Sequence, residues 1–282
     1  MLRDEFKTRY QTIPLAIHRA VSEIGASELL AHQHREIELI YMRRGALDFY
    51  VDTRCYSLRE GDLLFVPPYA IHRIPAHKEG ATEHECICFS ASLLCDTALL
   101  SLLEGSPVAA YRLSGADATV PSLHMQAAFS ACERGGNGWE LLAVGHLSLL
   151  FAVLKQMGAF CGEGSVVGDT AFAKDVIAFV EAHHGEAVTS RTIAALLYTG
   201  QSQFCRRFRS VFGTSFEKYL LSYRLERART LLGTETANVT EIAYRVGFHN
   251  AAYFGKAFRE KYGVTPLGYR KAKKSADHEK KV

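Results

Sequence analysis

The 282-residue chain predicts an α+β protein of two domains, an antiparallel β-barrel or sandwich followed by an all-α half. Three observations predict this. The first hundred residues hold short apolar runs closed by glycine-bearing turns. Between Thr189 and Arg270 a helical unit occurs twice, at an offset of about fifty residues. The charge divides with the halves. Residues 171–282 carry 19 Lys+Arg and 10 Asp+Glu, a net of +9, which leaves 14 against 20, a net of −6, for residues 1–170; together these give +3. A basic helical half on an acidic β half is the asymmetry expected when one part meets phosphate.

In the front half, residues 36–42, 47–51 and 62–66 read as strands, separated by Arg43-Arg44-Gly45, Asp52-Thr53 and Arg59-Glu60-Gly61. Two spacings stand out: His32-x-His34-x3-Glu38-x6-Gly45 and Gly61-x5-Pro67-x-Tyr69-x2-His72. Together they resemble the two cupin motifs, with Tyr69 where a glycine is usual and Ala76 where the motif would end in Asn. The resemblance implies a cupin-like effector-binding β-barrel over residues 1–95. In metal-binding cupins the positions matching His32, His34, Glu38 and His72 are ligands. His32, His34 and Glu38 share strand parity, and three imidazoles with one carboxylate suit Zn, Fe or Mn. The alternative needs no cofactor. The same residues with Glu36, Tyr41, Tyr50 and Arg73 would line a barrel mouth for a small polar effector, and sugar hydroxyls suit that lining.

Residues 96–157 form a helical joint. Leu141, Leu142, Val144, Leu147, Leu149, Leu150, Val153 and Leu154 recur at spacings of three and four, a stripe broader than one core face requires. It serves either as a homodimer seam or as packing on the barrel's outer wall. Residues 158–170 hold four glycines and no periodic pattern, which predicts a flexible linker.

Each copy of the repeat, within residues 171–272, opens on an N-cap, Thr189 or Asn238. Ile193, Ala194 and Leu197 then share a face, as do Ile242, Ala243 and Val246. After a short break, second helices begin near Gln201 and Ala251. Phe204 and Phe208, and in the second copy Phe254 and Phe258, are their buried stripes. Gly213 and Gly263 stand where a left-handed residue ends each helix. Helix, tight turn, helix is the helix-turn-helix pattern.

The stretch from Val239 to Arg270, with Tyr223-Arg224-Leu225 and Ala228 upstream, resembles the signature of AraC-type transcription regulators. The resemblance implies two helix-turn-helix units joined by a long helix at about 216–232, each placing its second helix in a major groove of promoter DNA. The outward face of the first such helix offers Gln201, Ser202, Gln203, Cys205, Arg206 and Arg209. In relatives the base-reading positions match Ser202, Cys205 and Arg206, and a guanidinium can pair with O6 and N7 of guanine. The corresponding positions in the second copy are Asn250, Ala251, Ala252, Gly255 and Lys256, where only Asn250 and Lys256 bring polar groups. Copy one is therefore expected to discriminate bases and copy two to position the duplex. Arg207 is expected to snorkel to a phosphate, and Arg224 to be structural. The basic stretch from Arg270 reads as a solvated tail, disordered over 273–282.

No run is apolar and long enough to span a bilayer, and the N-terminus lacks a signal-peptide core. Seven cysteines without a CxxC pair read as reduced thiols of a cytoplasmic protein. The expectation is a homodimeric, non-enzymatic regulator that binds promoter DNA and a small-molecule effector, and contacts RNA polymerase if it activates. The alternative is a metal-dependent cupin enzyme or metal sensor fused to a DNA-binding domain.

Overall fold

A computed structural model describes residues 13–22, 29–75, 80–105, 109–160 and 167–279. The chain divides into two compact units, with the boundary at residues 171 and 172.

Among the described residues the first unit has nine strands: β1 (Leu15–Ser22), β2 (Leu29–His32), β3 (Ile37–Arg44), β4 (Ala46–Val51), β5 (Arg54–Arg59), β6 (Leu63–Val66), β7 (His72–Ile74), β8 (Thr82–Phe89) and β9 (Tyr111–Leu113). They form two antiparallel sheets, ordered β1-β8-β3-β6-β9 and β2-β7-β4-β5. Alternation along each strand decides what lies between and behind them. Ile40, Met42, Leu64, Val66, Cys86 and Cys88 of the larger sheet share a core with Leu47, Phe49, Val51 and Leu58 of the smaller. The opposite face of the larger sheet, with Ile37, Leu39, Leu63, Phe65, Ile87 and Phe89, packs on helices. Gly45 between β3 and β4 has φ +81°, and a Cβ there would stand 2.5 Å from the Ala81 carbonyl oxygen, so both conformation and space demand glycine.

A 3-10 turn (Ala91–Leu94) and three helices follow: α1 (Thr97–Gly105), α2 (Ala116–Arg134) and α3 (Trp139–Gln156). The leucine stripe of α3 splits in two. Leu147, Leu150 and Leu154 are buried against the sheet, while Leu141, Leu142 and Leu149 are exposed at 81%, 54% and 52%. Two boundaries differ from the sequence expectation. The β domain does not end at residue 95, because β9 pairs with β6 beyond it. Nor does the linker begin at 158. Ala159 and Phe160 are buried in the sheet–helix core, where Phe160 packs on Phe65 and Phe151 with ring centroids 5.4 and 5.8 Å away. Apolar anchoring of these two residues outweighs the glycine signal around them. The backbone is helical again from Val167, so of the expected linker only 161–166 remain, and these, like Ala76, lie outside the described residues.

The second unit is helical: α4 (Val167–His183), α5 (Ser190–Leu196), α6 (Gln201–Phe212), α7 (Phe216–Thr234), α8 (Val239–Arg245), α9 (Ala251–Tyr262) and α10 (Pro266–Glu279). The caps are those the repeat predicts. Thr189 Oγ1 accepts from Thr192 N at 3.2 Å and Asn238 Oδ1 from Glu241 N at 2.7 Å. Gly213 and Gly263 end α6 and α9 at φ 71° and 73°. Around Phe208, the rings of Phe204, Phe212, Phe216 and Tyr219 all lie within 5.7 Å. Phe254 and Phe258 fill the matching core of the second copy. Each fully buried ring contributes about 2–3 kcal/mol.

Arg224 on α7 ties the central helix to the end of α4. Its Nε donates to the His184 carbonyl at 2.8 Å and an Nη to the Glu186 carbonyl at 2.7 Å. The structural role expected of Arg224 is thus a carbonyl clamp. Arg207 lies with Cζ 4.4 Å from the Phe172 ring centre, a cation–π contact. The C-terminal stretch is a correction over its described part: residues 270–279 are helical, and 280–282 lie outside the described residues. Thr265 Oγ1 caps Gly268 N at 3.1 Å, Pro266 takes the first helical position, and alanine and lysine carry α10 to Glu279. Arg270 is buried, its Nε donating to the Leu232 carbonyl at 3.4 Å.

Candidate functional site

Two surfaces carry chemistry, one in each unit. In the helical unit, the buried phenylalanines of α6 fix which residues face out. Gln201, Ser202, Gln203, Arg206 and Arg209 are exposed, and Cys205 is half-buried. Gln201 Nε2 donates to Ser190 Oγ at 3.2 Å, and Gln203 Oε1 accepts from Thr199 Oγ1 at 3.2 Å, so both amides are steadied across the turn. Among the described residues Arg206 and Arg209 make no ion pair and no side-chain hydrogen bond. Their guanidinium donors face solvent.

On α9 the matching face is small. Ala251 and Gly255 are half-buried, and Ala252 and Lys256 are exposed. Asn250 is exposed too, but its Oδ1 caps α9, accepting from Tyr253 N at 2.9 Å. Its amide NH2 and the second lone pair of Oδ1 are left to face a partner. Lys256 lies 3.8 Å from Glu260 one turn on, a solvent-screened pair worth little. A Cβ on Gly255 would meet nothing within 4 Å, so packing within the unit does not require glycine there. Sequence reasoning missed Tyr253. It occupies the position matching Gln203 and is 53% exposed, with its phenol outward. Its neighbour Phe254 is core, and one aromatic beside another reads as stripe. Tyr198, 98% exposed with φ 51°, was passed over because it lies in the break between the two helices of the first copy.

In the β unit, four of the predicted residues meet between the sheets. His72 Nε2 is 2.9 Å and His34 Nε2 3.7 Å from the Glu38 carboxylate. The ring centres of His32 and His72 are 4.2 Å apart, those of His34 and His72 4.9 Å. Glu38 and His72 are 4% and 1% exposed. Tyr69, whose N–H donates to the His34 carbonyl at 2.7 Å, holds the preceding loop. It does so at φ 62°, the left-handed conformation for which glycine is the usual residue.

Each ring nitrogen Nδ1 is directed at a backbone carbonyl: His32 at Leu30, 2.8 Å; His34 at Glu36, 3.1 Å; His72 at Ala70, 2.9 Å. A carbonyl can only accept, so Nδ1 carries the proton in all three. Burial and the neighbouring imidazoles push His32 well below the usual histidine range. Burial opposes charge on His72 as well, but the Glu38 carboxylate outweighs it and raises the imidazole. Burial opposes charge on Glu38, yet His72 and His34 hold it well below the usual carboxylate range.

Two thiols complete the cluster. Cys86 Sγ donates to Glu38 Oε1 at 2.8 Å, and Cys88 Sγ lies 3.5 Å from Cys86 Sγ. The Cys88 contact favours the Cys86 thiolate, but burial and Glu38 win and push the thiol up to about 12. Burial, with Cys86 beside it, raises Cys88 too.

The rest of the predicted lining is not there. Tyr41 has the opposite parity to Glu38 and packs in the sheet–helix core. Tyr50 and Arg73 pair across β4 and β7 with Arg73 Cζ 3.8 Å above the Tyr50 ring, while their neighbours Val51 and His72 turn inward. Glu36 sits at the rim, half-buried, its carboxylate 3.2 Å from Arg35 Nε and 3.7 Å from His34 Nδ1. The phenols and the guanidinium that would have suited a sugar face elsewhere.

Residues 193–272 match the family model described as a helix-turn-helix domain, and residues 30–151 the model described as an AraC-like ligand binding domain. The chain is 24% identical to the HTH-type transcriptional regulator YdeC of Bacillus subtilis, over 96% of each chain. It is 25% identical to the HTH-type transcriptional activator RhaS of Salmonella typhimurium, over 92% of this chain and 93% of the other. Among solved structures it resembles ToxT from Vibrio cholerae O395, at 16% identity and a TM-score of 0.47, over 91% of this chain and 96% of that one. Among the described residues no helix is long and apolar enough to cross a membrane.

Proposed function

Because the chain belongs to the AraC-type transcriptional regulators, with an AraC-like ligand-binding domain ahead of its helix-turn-helix units, we propose that it is a cytoplasmic, non-catalytic regulator that responds at its barrel cluster. One observation carries this: His32, His34, Glu38 and His72 converge in the ligand-binding domain, remote in sequence from the helices that meet DNA. With each Nδ1 directed at a backbone carbonyl, His32 offers its Nε2 lone pair, while Nε2 of His72 and of His34 faces the Glu38 carboxylate at 2.9 and 3.7 Å. A fitting effector brings hydrogen-bond donors or positive charge, as a small polyol or a cation does. To control DNA binding, that effector must bind the DNA-competent state with a different affinity from the alternative state.

The exposed leucines of α3, with Val120 and Leu123 of α2, are the face through which two copies would pair. A dimer would present four helix-turn-helix units to promoter DNA. The relative RhaS is named an activator, which supports RNA polymerase as a further partner.

The test is a promoter-fragment binding titration of the full chain with and without candidate polyols and cations, alongside His34→Ala. A ligand-dependent change in DNA affinity that His34→Ala abolishes is the expected result. An unchanged response in that variant would place sensing elsewhere. Sedimentation of Leu141→Glu checks the dimer face, and an unaltered sedimentation coefficient would remove it.

A further inference from the structure

We propose that His124 on α2 and His146 on α3 form half of a metal site that a second copy of this chain completes, four imidazole Nδ1 atoms holding one divalent ion of the zinc class between the two copies. This rests on the exposed face of α2 and α3 being where two copies pair, and it names what locks that pairing. The site lies on the helices, apart from the cluster between the two sheets.

Three features carry it. The first is distance. His124 Nδ1 and His146 Nδ1 stand 3.3 Å apart, with ring centres 5.6 Å apart and ring planes tilted by 37°. For a hydrogen bond that separation is long. Zinc–nitrogen bonds of about 2.0–2.1 Å, meeting at the tetrahedral angle, set neighbouring nitrogens about 3.3–3.4 Å apart. The two Nδ1 atoms therefore already stand at the spacing of one tetrahedral edge.

The second feature is the surface around the pair. Val120, Leu123, His124 and Ala127 of α2 stand at i, i+3, i+4 and i+7, and so do Leu142, Gly145, His146 and Leu149 of α3. Each helix thus carries its histidine inside one stripe. Val120, Leu123, Leu142 and Leu149 are exposed, and the two histidines between them are half-buried. No charged side chain belongs to either stripe. An uncharged apolar face of this kind suits a second copy of itself. Gly145 adds to this. A Cβ there would meet nothing within 4 Å, so packing inside the chain does not explain a residue that costs about 1 kcal/mol in a helix interior. It leaves room for a facing helix to come close to His146.

The third is ligand count. Two imidazoles fill half of a tetrahedral shell. Among the described residues no third histidine, cysteine or carboxylate joins this pair to complete the set within one chain. In a two-fold dimer a pair on the axis meets its own image, so the second copy supplies the other two nitrogens. An all-imidazole set suits zinc and cobalt and is a poor one for magnesium or calcium. The protons balance. Before binding, one Nδ1 carries the proton that the two rings share, and the other accepts it. As the metal–nitrogen bonds form, that proton passes through solvent to Nε2 of the ring that held it. Both rings stay neutral, each ligates through its Nδ1 lone pair, and no oxidation state changes.

The experiment is sedimentation equilibrium of the full chain in chelator, in Zn2+ and in Co2+, with equilibrium dialysis of the same metals, on the parent, His124→Gln, His146→Gln and Leu149→Arg. Zinc at about 100 times its dissociation constant should tighten the parent dimer about 100-fold, by mass action. The parent should take up one more ion per two chains than either glutamine variant, a difference in which any ion held elsewhere cancels. Both glutamine variants should lose the zinc-dependent tightening while associating in chelator as the parent does. Leu149→Arg keeps both histidines but repels the second copy, so it should weaken association and lower zinc affinity together. Equal metal uptake by the parent and both glutamine variants overturns the inference. So does an ion that those variants lose but that leaves the parent's association unchanged. The dimer face and the metal fail separately. A parent that dimerises in chelator and ignores zinc keeps the face and refutes the metal. A parent that stays monomeric in chelator and in zinc refutes the face, and the shared site with it.

Discussion

Gly247, in the turn of the second helix-turn-helix unit, offers a quantitative test of how that unit is held to the rest of its domain. Its φ is +92°, and a Cβ there would stand 2.4 Å from the His184 carbonyl oxygen and 2.7 Å from Arg224 Nε. Gly247→Ala therefore meets two penalties. The left-handed backbone costs a residue with a Cβ about 1–2 kcal/mol. The contact must also displace Arg224 or the His184 carbonyl, and a hydrogen bond from a charged donor is worth about 1.5–3 kcal/mol. The sum is about 2.5–5 kcal/mol. Gly263→Ala is the control, because its φ of +73° is similar but nothing lies within 4 Å of the added carbon. It should cost only the backbone part, about 1–2 kcal/mol. The only tryptophan, Trp139, lies in the other unit, so its fluorescence does not follow this one. Hydrogen exchange of α7 and α8 amides in the full chain, read across a urea series, gives the local free energies. Gly247→Ala should fall below Gly263→Ala by at least about 1.5 kcal/mol, the lower end of the lost Arg224 contact. Equal losses in the two variants would refute the clamp.

Gly255→Ala should do the opposite on its exposed helix face. It stabilises α9 by up to about 1 kcal/mol through helix propensity. It also weakens promoter binding if a duplex approaches that backbone. Thermal melts and anisotropy on one preparation read both, and tighter DNA binding by the alanine variant would contradict the assignment of this face. His84, buried between the sheets beside His18, is pushed down to about 4. The unfolded chain takes up a proton near the ordinary histidine value of 6.5 while the folded one resists it. Stability is thus lost as pH falls from about 6.5 to 4, by up to about 3 kcal/mol from this group. Urea midpoints for His84→Gln should show a shallower acid slope than the parent, and an identical slope would assign the loss to other groups.

The repeat made the helical unit legible almost residue by residue. Thr189, Asn238, Gly213 and Gly263 act as caps through local chemistry, and local chemistry is written in local sequence. The convergence of His32, His34, Glu38 and His72 was legible because motif spacing and strand parity agreed. The wider lining was not, because it mixed parities. Tyr41 sits an odd number of positions from Glu38, and Tyr50 and Arg73 each neighbour an inward residue on their strands. The thiols of Cys86 and Cys88 joined the cluster through β3–β8 register, a long-range pairing that no local signal encodes. Phe160 shows the reverse error. Glycines around it suggested a linker, yet its ring finds Phe65, far away in sequence, and Phe151 on the preceding helix. On α9, a solvent-facing Tyr253 looks like core because apolar residues on a helix usually are.

The central claim is that two unequal helix-turn-helix units bind promoter DNA, with α6 reading bases and α9 gripping the backbone. Salt-dependent binding titrations of the parent, Arg206→Ala and Lys256→Ala, on a bound genomic fragment and its base-substituted counterparts, test it most directly. Arg206→Ala should lose about 1–3 kcal/mol of discrimination at one base position while binding the substituted fragment almost as the parent does. Lys256→Ala should weaken all fragments alike and reduce the salt slope by about 1. If Lys256→Ala relaxes specificity while Arg206→Ala lowers affinity uniformly, the assignment of the two copies is reversed.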